Sequence, residues 1–499
     1  MYLKELKEAL RYNKTSHPER TNATFERVVE VLENVLGEKE KTVIADLKKN
    51  LDVTHPRAEL TERQSQEIVN LLDDAMINPG EMEDIVHQLQ YSEISSQEAI
   101  DIHKKYKIPV SHLEQDIIPV KGNGCWIRDT KGKWYIDMDS NYSATNLGMS
   151  NNKIAKGLFN QADLLISMKE DRVQIARTRF LKEIHSMMPK GLHYFYWQNS
   201  GGEAVDKAIK IAKAYTKNKE VIAFKQGFHG RTHGAVSVTW NESYRKPFHL
   251  HREDWVDFAT FNDIDSVKKM VDETNAKTII MELVQGEEAG NLPADETFLQ
   301  DLWQLKKEKE LIIIDDEVQA GFGRTAIKKG DWFACTSYDL VPDIITIGKS
   351  FGGSYPITAV VTNETIASSM KPGYDGSTFG GNPMAMTAAL IATRQMKEQK
   401  ITENVIERSK QFFDGLQQLK KKYPVIDNIR GRGLMIAFSL GKKKNVELIR
   451  KFLQKEGVKT SLSTNEYMRF LPPTIISKGE VEFVLQKLDN ALKKTSKTS

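Results

Sequence analysis

The chain has 499 residues, long enough for two or three domains with a large buried core. Hydrophobic residues make up 40% and charged residues 28%, and 71 basic against 68 acidic side chains leave a net charge of only +3. That balance gives no basis for nucleic-acid binding, and two cysteines are too few for a disulfide framework or a cysteine metal site. No signal-peptide core opens the chain and no uncharged apolar run approaches the roughly 18 residues of a membrane span. The expectation is a cytoplasmic protein with no membrane partner.

In chain order, residues 1–108 read as an N-terminal helical extension. Phe25, Val28, Val29, Leu32, Val35 and Leu36 recur at helical spacing, and Thr61 with Gln64 and Ser95 with Glu98 fit capping boxes. No catalytic constellation is visible there. Residues 109–165 begin a small domain: "GNGCWIRDTKGKWYIDM" (122–138) alternates around Lys131-Gly132 as a β-hairpin does. Residues 166–395 alternate short apolar runs with amphipathic stretches. The runs are 194–197, 221–224, 278–282, 311–315, 344–348 and 357–361, and "EAVDKAIKIAKAY" (203–215) is typical of the helices between them. This predicts an α/β domain around a mainly parallel sheet. Residues 396–499 complete the small domain as α+β, with strands expected in 433–440 and 467–473.

Two motifs invite nucleotide readings and fail them. Gly348-Lys349-Ser350 could end a P-loop, but that pattern requires glycine at 343, where the chain has Asp343. Gly321-x-Gly323-x-x-Ala326 meets the loose dinucleotide pattern, yet it is displaced from the apolar run and no helix pattern follows. The adjacent acids Asp315 and Asp316 could bind Mg²⁺, but no phosphate partner or third ligand is in view, so no metal is expected. What remains is a carboxylate at a strand end and, one strand later, a lysine between apolar residues and glycines. Lys349 is then either a surface lysine or an amine held in a pocket as a nucleophile.

"DEVQAGFGRT" followed by "PDIITIGKSFGGSYPITAVV" resembles the class-III aminotransferases, which depend on pyridoxal 5'-phosphate. The resemblance continues through "NSGGEAVDKAIK" (199–210), "GFHGRTHGA" (227–235), "VQGEEAG" (284–290), "GSTFGGNP" (376–383) and "RFLPP" (469–473), covering about residues 115 to 495 in the family's order. It implies a fold-type-I enzyme, with a large parallel-sheet domain and a smaller α+β domain, working as a homodimer or higher homo-oligomer. It also implies transfer of an amino group from an amine or amino acid, ω-amines included, to an oxo acid such as 2-oxoglutarate. A racemase or epimerase on the same fold is the alternative.

Residue by residue, the resemblance makes Lys349 the Schiff-base lysine and proton shuttle, and Asp316 the partner of the pyridine nitrogen. Strand alternation turns Asp315 to the opposite face. Gln319 would bond the phenolic oxygen, Phe228 would stack on the ring, and Gly201 and Gly202, after Ser200, would hold the phosphate at a helix start. Thr378 would reach the phosphate of the partner subunit. Arg469 would grip a substrate carboxylate, with Glu287 as its counter-ion when no such carboxylate is present; Glu282 matches a second acid of the same block. Tyr142 and Asn141 face the substrate in a segment that varies within the family. His229 reads as a hydrogen-bonded histidine rather than a catalytic one. "LGMSNNK" (147–153) and Leu283 depart from the family pattern, which leaves the cofactor set intact and the substrate open.

Overall fold

The computed structural model describes residues 94–251, 254–462 and 465–495. The helical pattern at 25–36 and the capping pair Thr61/Gln64 lie outside these residues. Two compact units are distinguished: one runs up to Ile136 and takes in Ile476–Val484, and the other comprises Asp137–Ile475 and the chain from Leu485.

In the first unit a helix, Ser96–Tyr106, starts where Ser95 Oγ accepts from the Glu98 N–H at 3.1 Å, the main-chain half of the expected capping box. Strands β1 (Pro119–Asn123), β2 (Trp126–Asp129) and β3 (Trp134–Asp137) form a meander, with β2 and β3 antiparallel about Lys131-Gly132. Gly132 takes φ +80°, and Asp129 Oδ1 accepts from the N–H groups of Lys131 and Lys133, so the hairpin turn is closed by its own aspartate.

The second unit is built on a seven-stranded sheet. Its strands are β4 (Tyr194–Gln198), β5 (Val221–Phe224), β6 (Val256–Ala259), β7 (Thr278–Met281), β10 (Ile312–Asp316), β11 (Ile344–Ile347) and β12 (Thr358–Thr362); the short pair β8 (Val284–Gln285) and β9 (Leu292–Pro293) lies apart. The order is β4-β12-β11-β10-β7-β5-β6, and only β12 runs against the rest. Each of the six apolar runs forms one of these strands, and β6 is an addition that the pattern did not announce. Strands buried on both faces read as continuous apolar runs, and five of these six, all but β4, are buried along their whole length.

The helix Gly201–Thr216 lays Ala204, Val205, Ala208, Ile209 and Ala212 across Ile280, Ile312, Ile314, Ile344 and Val360. A second sheet, β13 (Asp427–Arg432), β14 (Met435–Ser439) and β16 (Tyr467–Phe470), is wholly antiparallel; β15 (Val458–Lys459) precedes its last strand. No helix among the described residues is long and apolar enough to cross a membrane.

Candidate active site

The parallel strands deliver their carboxyl ends to one rim, where open α/β sheets place ligands. There β10 ends in Asp316, β11 leads through Gly348 into Lys349, β7 leads into Glu282, and the loop after β5 carries Phe228. They line a cavity of about 520 Å³ together with Asn141, Tyr142, Gly201, Gly202, Glu287 and Gln319. Of the residues given roles from the sequence, Tyr142, Gly201, Gly202, Phe228, Glu287, Asp316, Gln319 and Lys349 line the cavity, and Arg469 pairs with Glu287. Thr378 lies outside the cavity lining and is exposed.

The two adjacent acids separate as strand alternation requires. Asp316 turns toward the cavity side: Oδ2 is 2.8 Å from His229 Nδ1, while Oδ1 accepts from Thr346 Oγ1 at 2.8 Å and the Val318 N–H at 3.2 Å. Asp315 turns to the other face, fully buried beside Glu317 and Cys335. Burial first, then the Glu317 carboxylate, raises Asp315 well above the ordinary carboxylate range, which favours its protonated form. His229 is the hydrogen-bonded partner of Asp316, and its ring is buried.

Lys349 sits at φ +46°, at the start of a 3₁₀ turn that closes on Gly353. Enclosure of its ammonium by the cavity walls lowers its pKa, against the carboxylates of Glu287, Glu282 and Asp316, which favour the charged form. The lysine is therefore easier to deprotonate than one in water, as a base or nucleophile requires.

At the opposite side Ser200 caps the helix Gly201–Thr216 with a complete capping box to Glu203. A Cβ on Gly201 would come within 3.1 Å of Val318 Cγ1, and one on Gly202 within 2.8 Å of Thr232 Oγ1. Both glycines line the cavity at a helix start, whose first N–H groups have no partner within the helix, and such a start fits a phosphate. Gln319 approaches the main chain at Gly286, where a Cβ would collide with its Oε1. The residues present match the demands of pyridoxal phosphate: an anion cradle, an amine, a buried acid and the aromatic Phe228.

Arg469, on β16, lies buried with Nη1 2.8 Å from Glu287 Oε2. Burial pulls its pKa down, but the Glu287 carboxylate outweighs this and the net direction is upward. Glu282 is fully buried, and accepts from the N–H groups of Phe228 (2.8 Å) and Gly286 (3.3 Å). Burial drives its pKa up to about 7; the His229 ring opposes the rise and the Asp316 carboxylate adds to it. A raised folded value means that the protonated form stabilises the fold. That contribution is complete below the ordinary 4.5 and is lost as pH rises through about 7. Glu282→Gln should remove this part of the pH dependence, and denaturant midpoints across pH 4 to 8 would measure it (about four units). An unchanged slope would show a permanently charged Glu282.

Two features were not expected from the sequence. Arg231 lines the cavity with its guanidinium 3.4 Å from the centroid of the Tyr244 ring and 5.4 Å from that of Phe228. It lies inside the "GFHGRTHGA" block, and its place two residues after His229 was the available signal. The other is the backbone at Ser140–Ser143, where φ is 43°, 50°, 53° and 73° in succession without a glycine. Left-handed backbone costs L-residues about 1–2 kcal/mol each, so this turn is held by its surroundings.

Residues 108–492 match the aminotransferase class-III family. The acetylornithine aminotransferase of Archaeoglobus fulgidus is 35% identical over 391 residues, 78% of this chain and 99% of that protein. The LysW-aminoadipate semialdehyde transaminase of Deinococcus radiodurans is 35% identical over 390 residues, 78% of this chain and 89% of that one. Among solved structures, the ornithine aminotransferase of Toxoplasma gondii superposes with a TM-score of 0.77 over 85% of this chain and 100% of its own, at 24% identity, a likeness of fold. The chain belongs to the class-III aminotransferases and is a fold-type-I, pyridoxal-phosphate-dependent aminotransferase.

Proposed function

We propose that this enzyme takes an amino group from an amine or amino acid, ω-amine donors included, and delivers it to an oxo acid such as 2-oxoglutarate, as a cytoplasmic homodimer. The observation that carries the reading is the buried Arg469–Glu287 ion pair beside Lys349. A transaminase receives two partners in turn in one cavity, and the oxo acid brings a carboxylate. Arg469 can meet that carboxylate with a two-pronged contact; when the other partner presents an apolar or ω-amino end, Glu287 keeps the guanidinium paired. Leaving it unpaired in a buried site would cost several kcal/mol. The named relatives are transaminases, which supports transfer over the racemase alternative.

Bound pyridoxal phosphate supplies an electron sink for the carbon that loses its proton and carries the amino group between partners. The chain's own residues do the rest. The N–H groups at Gly201 and Gly202 would bind the phosphate, and Phe228 would cover the ring. Gln319 would hold the phenolic oxygen, while Asp316, itself oriented by His229 and Thr346, would keep a proton on the ring nitrogen. Lys349, with its lowered pKa, carries the proton to and from the substrate carbon. Thr378, outside this protomer's cavity, is assigned to the phosphate of the partner subunit. The exposed apolar side chains Leu164, Ile166, Val173, Ile175 and Phe379 support a second copy as the cover of this surface. Two buried free cysteines, Cys125 and Cys335, support a reducing compartment.

Single-turnover rates of each half-reaction test the reading. Arg469→Ala should slow the glutamate or 2-oxoglutarate half by roughly 10²-fold, and slow an ω-amine donor much less. Glu287→Ala should chiefly slow the donor that lacks an α-carboxylate. Equal losses in both halves for both variants would refute the exchange of partners.

A further inference from the structure

The left-handed turn Ser140–Ser143 brings Asn141 and Tyr142 to the cavity wall, and it is tied down along its length. Ser350, the residue after Lys349, donates Oγ to the Ser143 carbonyl at 2.8 Å. Gln319 Nε2 donates to the Tyr142 carbonyl at 3.3 Å, and Ser140 Oγ donates to the Leu471 carbonyl at 2.5 Å. These bonds fix the far end, the middle and the first residue of the turn, where Arg324 Nη2 also donates to Ser140 Oγ at 3.3 Å.

The residue that leads into the turn is held by charge. Asp139, the residue before the turn, accepts from Lys459 Nζ at 3.0 Å and from Ser461 Oγ at 2.9 Å. The same Nζ lies 3.2 Å from Asp137 Oδ1, which also accepts from the Asp139 N–H at 3.0 Å. Lys459 is held in place by its own main chain, whose carbonyl accepts from the Met138 N–H at 2.8 Å. Both acids are largely buried, so without the ammonium their charges would face each other with little water between them. The cheapest relief is to move Asp139, and Asp139 begins the turn.

We propose that Lys459 is a positioning residue for the amino donor: by bridging Asp137 and Asp139 it holds the left-handed turn that presents Asn141 and Tyr142 to the cavity. The inference rests on the reading of that cavity as the substrate site. Lys459 is not among the residues that line the cavity, and it acts through Asp137 and Asp139.

The test is steady-state kinetics of the holoenzyme with an amine or amino-acid donor, comparing Lys459→Met, Lys459→Arg, Ser461→Ala and Tyr142→Ala. Lys459→Met should raise the donor KM about tenfold while kcat falls less than about threefold, the split expected when binding geometry alone is lost. Cofactor retained after dialysis, read by visible absorbance, should not change. Lys459→Arg should restore KM to within about threefold, because it returns the charge to both acids. Ser461→Ala leaves the ion pairs intact and should raise KM about two- to fivefold, which keeps the proposal testable if Lys459→Met does not fold. A raised KM in Tyr142→Ala with an unchanged KM in Lys459→Met, or in Ser461→Ala where the methionine variant is insoluble, overturns the proposal alone. So does a loss in Lys459→Met shared equally by KM, kcat and cofactor content. An unchanged KM in Tyr142→Ala overturns the cavity reading, and the proposal with it.

Discussion

Replacement of Lys349 by alanine should abolish turnover, with a loss of roughly 10⁴-fold or more, equivalent to about 5 kcal/mol of barrier. The residue enters twice in the proposed mechanism, as the amine that holds the cofactor and as the base at the substrate carbon, and no second amine among the described residues lines the cavity. Cofactor should still bind, because the helix start at Gly201, the Phe228 face and Asp316 remain. Lys349→Arg separates charge from chemistry: it restores a cation beside Glu287, Glu282 and Asp316 but cannot give up its proton near neutrality. It should be as inactive as the alanine variant. Borohydride treatment of the wild-type enzyme followed by peptide mass spectrometry should find the cofactor fixed to Lys349; an adduct on another lysine would sink the assignment.

Asp316→Asn should cost about 10² to 10⁴-fold in kcat/KM, whereas Asp315→Asn should stay within about tenfold of wild type. The two substitutions are chemically identical and one residue apart. Asp316 offers a carboxylate bonded to the His229 ring and Thr346; an amide there has no negative charge with which to hold a proton on the ring nitrogen. Asp315 lies on the opposite face, where burial and the Glu317 carboxylate favour its protonated form, so an amide of the same shape should change little. Comparable kcat/KM values for both variants would show that the acid pair is structural and that the proton is held elsewhere.

How much was legible follows from the range over which each signal acts. The doubly buried strands are apolar runs, and β10 and β11 could be read to within a residue from "LIIID" and "IITIG". Strand β6 escaped because it lies at the sheet edge and interrupts its apolar pattern with Asp257. The opposite faces of Asp315 and Asp316 were predictable because alternation is a local rule. The left-handed turn was not: no glycine or Asn-Gly pair marks it, and the bonds that hold it come from Gln319, Ser350 and Leu471, far along the chain. Lys459 is 320 residues from Asp139, and a single ion pair across that distance leaves no periodic trace in sequence. Arg324 was read only as part of a glycine-rich motif, yet it is fully buried and bonded to Ser140, Asn146 and Leu434.

The antiparallel strand β12 has a consequence for the order of events during synthesis. It lies between β4 and β11, and Thr358 Oγ1 bonds the Ser200 carbonyl, 158 residues back along the chain, at 2.9 Å. At about 5–20 residues per second, the ribosome needs roughly 10–30 s to make the intervening segment. For that time β4 has no neighbour on its sheet side, and the helix start at Ser200 lacks one of its anchors. The phosphate cradle is thus among the earliest parts of the site to be made and among the last to be finished. A nascent chain halted before β12 should present an open apolar edge to chaperones and hold no cofactor.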